Sequence, residues 1–259
     1  MTKLILLDAY AIIYRSYYAL LRTPRINSKG LNTSAIMGFC NTLHEVFTKE
    51  QPDYIGVAFD HGKTFRHEKY PAYKAQRQET PEDIKRSVPI IQDILGALRI
   101  PVLQKDGFEA DDVIGTLATE AGRQGITTYM MTPDKDYGQL VSDKVFMYRP
   151  KHTGGFEVMG VEEVKAKFDI KSPAQVIDML GLMGDSSDNI PGCPGIGEKT
   201  AQKLIAEFGS IENLLEHTDQ LKGALKTKVE TNREMITFSK FLATIKIDVP
   251  IQLEMDALV

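Results

Sequence analysis

The sequence contains few of the residues that bind soft metals or form disulfides. It has two cysteines, Cys40 and Cys193, and five histidines. The two cysteines lie far apart in the chain and match no zinc-binding spacing. This sparse use of cysteine is typical of a protein from a reducing, cytoplasmic compartment.

Long apolar runs are also absent from the sequence. No stretch approaches the ~20 apolar residues of a membrane span, so we expect no membrane association. The first apolar run reaches Asp8 too early to be the core of a signal peptide. The 259 residues are 42% hydrophobic and 25% charged, which is typical of a globular protein with one large domain or two smaller ones. The net charge of −4 does not exclude a polyanionic partner, because acidic and basic residues gather in different parts of the chain.

Acidic residues recur at the ends of the short apolar runs. Residues 3–7 and 54–59 have the pattern of buried parallel strands and end in Asp8 and Asp60. A third such run, residues 127–132, is followed by Asp134 and Asp136. Each acid alone is explained by turn or cap chemistry. Their recurrence favours a shared site, because ligands bind at the carboxyl ends of parallel strands.

The densest acidic cluster is the stretch Gly107-Phe108-Glu109-Ala110-Asp111-Asp112. It follows a predicted strand at residues 100–103 and opens a helix that we expect to reach about residue 124. Three acids in four residues exceed what capping of a helix N-terminus requires. Their mutual repulsion is tolerable if they face water or hold hard cations such as Mg²⁺, and the cluster alone leaves both readings open.

A basic segment with interspersed aromatic residues, residues 61–88, follows the second acidic strand end. Its apolar content is too low for a core element. The composition suits binding of phosphates and stacking on bases. A solvated loop and helix would explain it equally well.

The chain becomes helical from about residue 161, and a glycine-rich turn interrupts the helices. Asp185 and Asp188 form another acid pair before this turn. Gly195 and Gly197 leave backbone N–H groups at a helix N-terminus open to a phosphate oxygen. With Lys199 and Lys203 beside them, they predict a helix-hairpin-helix clamp on a nucleic-acid backbone.

Taken together, these stretches resemble the bacterial 5′ nuclease, or flap endonuclease, family, most closely the N-terminal 5′→3′ exonuclease domain of DNA polymerase I. The similarity covers essentially the whole chain and is carried by four stretches in order. They are Tyr70-Pro71-Ala72-Tyr73-Lys74-Ala75-Gln76-Arg77, residues 107–112, Thr132-Pro133-Asp134-Lys135-Asp136, and residues 184–192 with their glycine-rich continuation.

The resemblance implies an α/β fold with a mostly parallel central sheet flanked by helices, a PIN-like nuclease core. This core would occupy residues 1–170, with a basic arch at about 61–88. A C-terminal helical region of the helix-hairpin-helix (H3TH) type would occupy residues 171–259, with the hairpin at about 185–208.

The resemblance also implies roles for individual residues. Nine acids would hold two Mg²⁺ ions, with Mn²⁺ as a substitute: Asp8, Asp60, Glu109, Asp111, Asp112, Asp134, Asp136, Asp185 and Asp188. Lys74 and Arg77 would approach the scissile phosphate, and Arg15, Arg66 and Tyr73 would bind or stack on the substrate. Gly195, Gly197, Lys199 and Lys203 would grip duplex DNA, with a K⁺ ion bridging backbone carbonyls of the hairpin to phosphate.

The implied function is that of a monomeric, structure-specific 5′→3′ exonuclease and 5′-flap endonuclease. It would act in the bacterial cytoplasm, during replication and repair, on DNA with a duplex portion and a 5′ single-stranded end or flap. Fusion to a polymerase and a free-standing nuclease both remain open. Two other functions remain open as well: a catalytically silent module that binds DNA structures, and a PIN-like ribonuclease.

Overall fold

A six-stranded sheet organises the first part of the chain in the computed structural model, which describes residues 2–151 and 153–259. The sheet order is β3-β2-β1-β4-β5-β6; the first five are parallel, and β6 runs antiparallel to β5. The strands are β1 (Lys3–Asp8), β2 (Tyr54–Ala58), β3 (Val102–Leu103), β4 (Thr127–Met131), β5 (Val145–Pro150) and β6 (Phe156–Met159). The predicted mostly parallel sheet is confirmed.

Strand β1 lies inside the sheet because its side chains are apolar on both faces. Leu4, Leu6 and their neighbours up to Leu7 are completely buried. Leu4 pairs with Tyr54 of β2 on one side and with Thr128 of β4 on the other. The chain crosses to opposite sides of β1 through β2 and β4, so the carboxyl end of β1 is a topological switch point of the kind where α/β proteins bind ligands.

Helices cover both faces of the sheet. The helices of this part are α1 (Ala9–Ala19), α2 (Ser34–Glu45), α3 (Phe65–Lys69), α4 (Glu82–Ala97) and α5 (Ala110–Arg123). Ile13 of α1, Phe39 of α2 and Ile91 of α4 belong to the apolar cluster on one face. Val113 and Leu117 of α5 belong to the cluster on the other face, which continues into the C-terminal helices.

The C-terminal part is helical, as predicted. It contains α6 (Val161–Phe168), α7 (Val176–Met183), α8 (Glu198–Phe208), α9 (Ile211–Glu216), α10 (Gly223–Thr231) and α11 (Arg233–Ala243). Residues 184–197 form a hairpin between α7 and α8. A Cβ atom on Gly192, at φ +63°, would lie 2.3 Å from the backbone nitrogen of Gly184. The hairpin therefore requires glycine where its two arms meet.

One predicted element differs in extent from the structure, and one helix changes its geometry near its end. The run at residues 100–103 forms only the two-residue strand β3, because Pro101 has no N–H to give to a ladder and contributes only its carbonyl, to Val57. Helix α2 has α-helical hydrogen bonding up to Glu45 and continues as a wider π-helical turn, Val46–Glu50. This turn ends at Gln51, whose backbone is in the left-handed conformation. Among the described residues, no helix combines the length and apolarity needed to cross a bilayer.

Candidate active site

Three strand ends and the N-terminus of α5 bring five acids to one cleft. Asp8 ends β1, Asp60 follows β2 and Asp134 follows β4, while Glu109 and Asp111 lie at the N-terminus of α5. All five line a cleft of about 730 Å³. Segments as distant as residues 8 and 134 therefore meet at the carboxyl edge of the sheet.

Three further acids lie on the side of the cleft nearer the hairpin. Asp136 belongs to a short helical turn that Asp134 caps by accepting a hydrogen bond from the Asp136 N–H at 3.0 Å. Asp185 and Asp188 come from the first turn of the hairpin, and both are buried. Burial, followed by the charges of Asp134 and Asp185, raises the pKa of Asp136 well above its ordinary value. The two groups of acids thus adjoin at Asp134 and Asp136.

Asp8 is held rigidly at the centre of the cleft. It caps α1 by accepting from the Ala11 N–H at 3.3 Å, and it accepts from the Tyr137 hydroxyl at 3.0 Å. Burial and then the charge of Asp60 raise the pKa of Asp8 to about 7, although the two hydrogen bonds oppose the change. Without a cation nearby, ionisation of Asp8 is unfavourable in this place.

Glu109 differs from Asp8 because cations surround it. Arg66 donates to it at 2.5 Å, Lys74 forms an ion pair with it, and the Tyr73 hydroxyl donates to it at 3.1 Å. Burial opposes ionisation, but Lys74 and Arg66 outweigh it and lower the pKa of Glu109.

The pKa of Asp185 is lowered in the same way. Burial opposes its ionisation, but hydrogen bonds from Ser187 and the charge of Lys135 outweigh burial. The Lys135 ammonium lies 3.1 Å from the Asp185 carboxylate.

Two buried carboxylate oxygens have no hydrogen-bond partner within the described part of the chain: Asp111 Oδ1 and Asp136 Oδ1. A buried polar atom without a partner is costly, and a bound cation is a standard way of satisfying it. One of the two oxygens lies in each group of acids. Ligand atoms of Glu109, Asp111 and Asp112 also lie within 4.8 Å of one another. These observations fit two divalent cations bound by oxygen ligands.

The basic segment lies directly over these acids. The Lys74 N–H donates to the Asp188 carbonyl at 3.0 Å, and the Asn189 side chain donates to the Ala72 carbonyl at 2.7 Å. Arg77 donates to the Ser187 carbonyl at 3.1 Å and forms an ion pair with Asp188. The first turn of the hairpin thus holds Lys74 and Arg77 at the mouth of the cleft.

Three residues with predicted roles are buried in this arrangement. Arg66 was expected to bind substrate, but it is 1% exposed and uses its whole guanidinium on Glu109, Asp112 and backbone carbonyls. Tyr73 was expected to bind or stack on substrate, but it is buried, with its hydroxyl on Glu109. Asp112 was expected to bind a metal; it belongs to the cluster with Glu109 and Asp111, but it is completely buried and each of its oxygens already accepts two hydrogen bonds.

The remaining predicted residues lie outside the acidic cleft. Arg15 of α1 is exposed and donates to the Lys151 carbonyl at 3.3 Å. Lys199 and Lys203 are exposed on α8, and Gly197 caps the N-terminus of that helix. Gly195 has φ +83°, a conformation that favours glycine. The hairpin and its lysines thus face solvent next to the core.

Three residues that position the acids were not predicted from the sequence. Tyr137 and Thr132 are buried and donate to Asp8, at 3.0 and 3.4 Å. Lys135 neutralises Asp185. All three lie within or beside residues 132–136, so their proximity to the predicted acids in sequence was the only available signal.

An α/β sheet with paired groups of carboxylates at its carboxyl edge, cations above them and a helix-hairpin-helix beside them defines a metal-dependent nuclease. Comparison with known proteins gives the family. Residues 3–169 match the 5′-3′ exonuclease N-terminal resolvase-like domain, and residues 171–259 match the 5′-3′ exonuclease C-terminal SAM fold. The chain belongs to the 5′-3′ exonuclease family.

Several relatives of this chain are DNA polymerases. The chain is 43% identical to DNA polymerase I of Bacillus caldotenax over 258 residues, which cover 98% of this chain and 29% of the polymerase. It is also 43% identical to DNA polymerase I of Bacillus subtilis over 260 residues, which cover 99% of this chain and 29% of the polymerase. The chain therefore spans less than a third of these relatives.

Solved structures confirm the fold. The 5′-exonuclease of bacteriophage T5, in a structure with bound divalent zinc, superposes with a TM-score of 0.77 at 22% identity, covering 93% of this chain and 89% of that chain. The catalytic core of Rad2 in complex with DNA substrate superposes with a TM-score of 0.63 at 18% identity, covering 100% of this chain and 82% of that chain.

Proposed function

We propose that this chain is a structure-specific 5′→3′ exonuclease and 5′-flap endonuclease that hydrolyses phosphodiester bonds in DNA. The observation that carries the proposal is a pair of buried oxygens, Asp111 Oδ1 and Asp136 Oδ1, which have no partner among the described residues and lie within the two adjoining groups of acids. A protein that only bound nucleic acid would gain nothing from so many carboxylates beside the phosphates.

The acids divide into two sets of metal ligands. Asp8, Asp60, Glu109 and Asp111 would hold one divalent ion, and Asp136 and Asp185 the other, with Asp134 between them. An all-oxygen ligand set favours Mg²⁺, with Mn²⁺ as a substitute, over zinc. When bound, such a pair of ions supplies an activated water and stabilisation of the leaving oxygen.

The protein's own cations complete the site. Lys74 and Arg77 lie at the mouth of the cleft, where they would bind the phosphoryl oxygens of the scissile bond and stabilise the charge that develops there. Arg77 is half-exposed, so it could exchange its ion pair with Asp188 for a phosphate of the substrate. Asp188, which pairs with both residues, orients them and is a peripheral candidate for a metal ligand.

The hairpin region would bind the duplex part of the substrate. The backbone N–H groups that begin α8 face solvent beside Gly195 and Gly197, and Lys199 and Lys203 add positive charge. A K⁺ ion bridging hairpin carbonyls to phosphate is part of the same proposal, as is a contact from Arg15 to the single-stranded end.

The cellular setting is proposed from the relatives. We place the activity in the bacterial cytoplasm, in removal of primers or flaps during replication and repair, with the nuclease acting as a monomer. The polymerase relatives, of which this chain matches 29%, support a form fused to a polymerase.

Cleavage of a 5′-flapped duplex labelled at either end tests the proposal. We expect cleavage near the flap junction and stepwise release from a 5′ end, both dependent on Mg²⁺ and restored by Mn²⁺ after chelation. Binding without cleavage at any concentration of divalent ion would favour the silent DNA-binding module. Preferential cleavage of single-stranded RNA would favour the PIN-like ribonuclease.

A further inference from the structure

Arg66 stands at a buried junction of three parts of the fold. It comes from α3 in the basic segment, and its Nη1 donates to Glu109 at 2.5 Å and to Asp112 at 2.8 Å. Its Nη2 donates to the other oxygen of Asp112 at 2.9 Å. Nε and Nη2 also donate to the carbonyls of Leu242 and Thr244, at 2.9 and 2.7 Å. All five donors of the guanidinium are therefore used.

Asp112 is the complementary half of this junction. Its Oδ2 accepts from the Glu109 N–H at 3.1 Å, and its Oδ1 accepts from the Lys246 N–H at 2.8 Å. Asp112 thus fixes the backbone of Glu109 at the start of α5 and the segment that follows α11. It is completely buried, and its ion pair with Arg66 excludes water.

Neither residue has a free group that could reach a substrate or a metal. Glu109, in contrast, accepts from Arg66 with Oε2 and turns Oε1 towards Lys74, which lines the cleft with it. The fixed orientation of Glu109 therefore depends on the Arg66–Asp112 pair, which also ties the end of α11 to the cleft.

We propose that Arg66 and Asp112 are positioning residues that orient Glu109 as a metal ligand and do not themselves contact metal or DNA. This inference rests on the metal site of the proposed function. It differs from the role implied by family resemblance, in which Asp112 is a ligand and Arg66 binds substrate.

Arg66→Lys separates positioning from electrostatics, because it keeps the charge but loses the planar five-donor fork. We expect Mn²⁺ affinity, measured by isothermal titration without DNA, to fall by about 10-fold to 100-fold, as is usual when a group that orients a metal ligand is changed. In cleavage assays kcat should fall while KM for flapped DNA stays near that of the wild type, because the hairpin surface is untouched.

Asp112→Asn and the double variant R66K/D112N complete a thermodynamic cycle. If the two residues act as one unit, the double variant should bind Mn²⁺ about as well as the weaker single variant. Losses that multiply would show that Asp112 contributes separately as a ligand, and this would overturn the proposal.

Asp178→Asn provides the matched control. Asp178 is also buried, pairs with Lys240 at 2.7 Å and accepts from the Ile211 N–H at 3.0 Å, but it lies away from the cleft. Its replacement should lower the unfolding temperature and leave Mn²⁺ affinity unchanged.

The outcomes separate this inference from the proposed function. A wild-type chain that binds no Mn²⁺ would contradict the proposed metal site. A wild-type chain that binds Mn²⁺ while R66K binds it equally well would contradict positioning alone. If neither R66K nor D112N folds, the pair serves stability only, and the inference is overturned.

Discussion

At the scale of single residues, the site contains buried acids that repel one another and cations that pair with some of these acids. Asp136 shows the first condition most clearly, because its buried Oδ1 has no partner in the part of the chain that the structure describes, and its pKa is raised by burial and by Asp134. This oxygen lowers the stability of the metal-free protein, and we expect a bound cation to offset that cost.

Asp136→Ala should therefore abolish cleavage and leave DNA binding largely intact. We expect the cleavage rate under saturating Mg²⁺ to fall by at least about 10³-fold, as for loss of a group that stabilises the transition state. Affinity for flapped DNA in Ca²⁺ or chelator should change by less than about threefold, because a removed acid does not weaken phosphate contacts. The exposed Asp143→Ala is the control, and equal losses of binding and cleavage would contradict the assignment.

Lys74 shows the second condition. Its ammonium is paired with Glu109 and lies 3.9 Å from Asp188, within the site that we propose for divalent ions. Burial opposes its charge, but Glu109 and Asp188 outweigh burial and raise the pKa of Lys74. It therefore stays protonated and competes with a bound cation by charge repulsion.

Lys74→Ala should separate metal binding from catalysis. We expect Mn²⁺ affinity to rise by roughly 10-fold, equivalent to about 1.4 kcal/mol of removed repulsion. The cleavage rate should fall by about 10²-fold, because a cation facing the phosphoryl oxygens is lost. Lys29→Ala removes an equal charge from an exposed loop and should change neither quantity. Reduced Mn²⁺ affinity in the Lys74 variant would argue against the competition.

At the scale of secondary-structure elements, the hairpin depends on glycine where its arms meet. Gly192→Ala would place a Cβ 2.3 Å from the Gly184 nitrogen in a left-handed conformation. We expect a loss of about 2–4 kcal/mol of unfolding free energy and weaker binding of duplex DNA. Gly96→Ala in α4 meets nothing within 4 Å and should raise stability by up to about 1 kcal/mol, measured by denaturant unfolding. Equal stability of the two variants would contradict this role of the hairpin.

Elements could be predicted from the sequence where a pattern is local. Runs of apolar residues predicted β1, β2 and β4. The acids that follow these runs predicted one part of the cleft. The short strand β3 was overestimated, since pairing and not composition limits its length. The partners of Arg66 lie 43, 46, 176 and 178 residues away along the chain, so its burial depends on tertiary packing that no local pattern indicates.

At the scale of the whole molecule, the concentrated acids make the stability of the metal-free protein depend on pH. Burial, with neighbouring charges, raises the pKa of Asp8, Asp111 and Asp136. The folded state then binds more protons than the unfolded state, so stability falls as pH rises from about 4 towards 7. Glu109 and Asp185 have lowered pKa values, and their stabilising contribution is already complete above the unfolded pKa, near pH 4.5.

Asp8→Asn should make this dependence weaker. In the metal-free wild type we expect the unfolding temperature to fall between pH 5 and pH 7, by on the order of 5 °C for Asp8 alone. The substituted amide would stay uncharged and still accept hydrogen bonds, so the slope should be smaller in the variant.

Burial lowers the pKa of His67, and this shift changes stability with pH in the opposite direction. His67 is present in both proteins, so its effect cancels in the comparison. Saturating Mg²⁺ should remove most of the wild-type slope, because bound cations favour the ionised form of the acids, which burial disfavours in a metal-free buffer. Identical slopes for wild type and variant without metal would show that Asp8 does not titrate in this range, and the electrostatic account of the cleft would then be wrong.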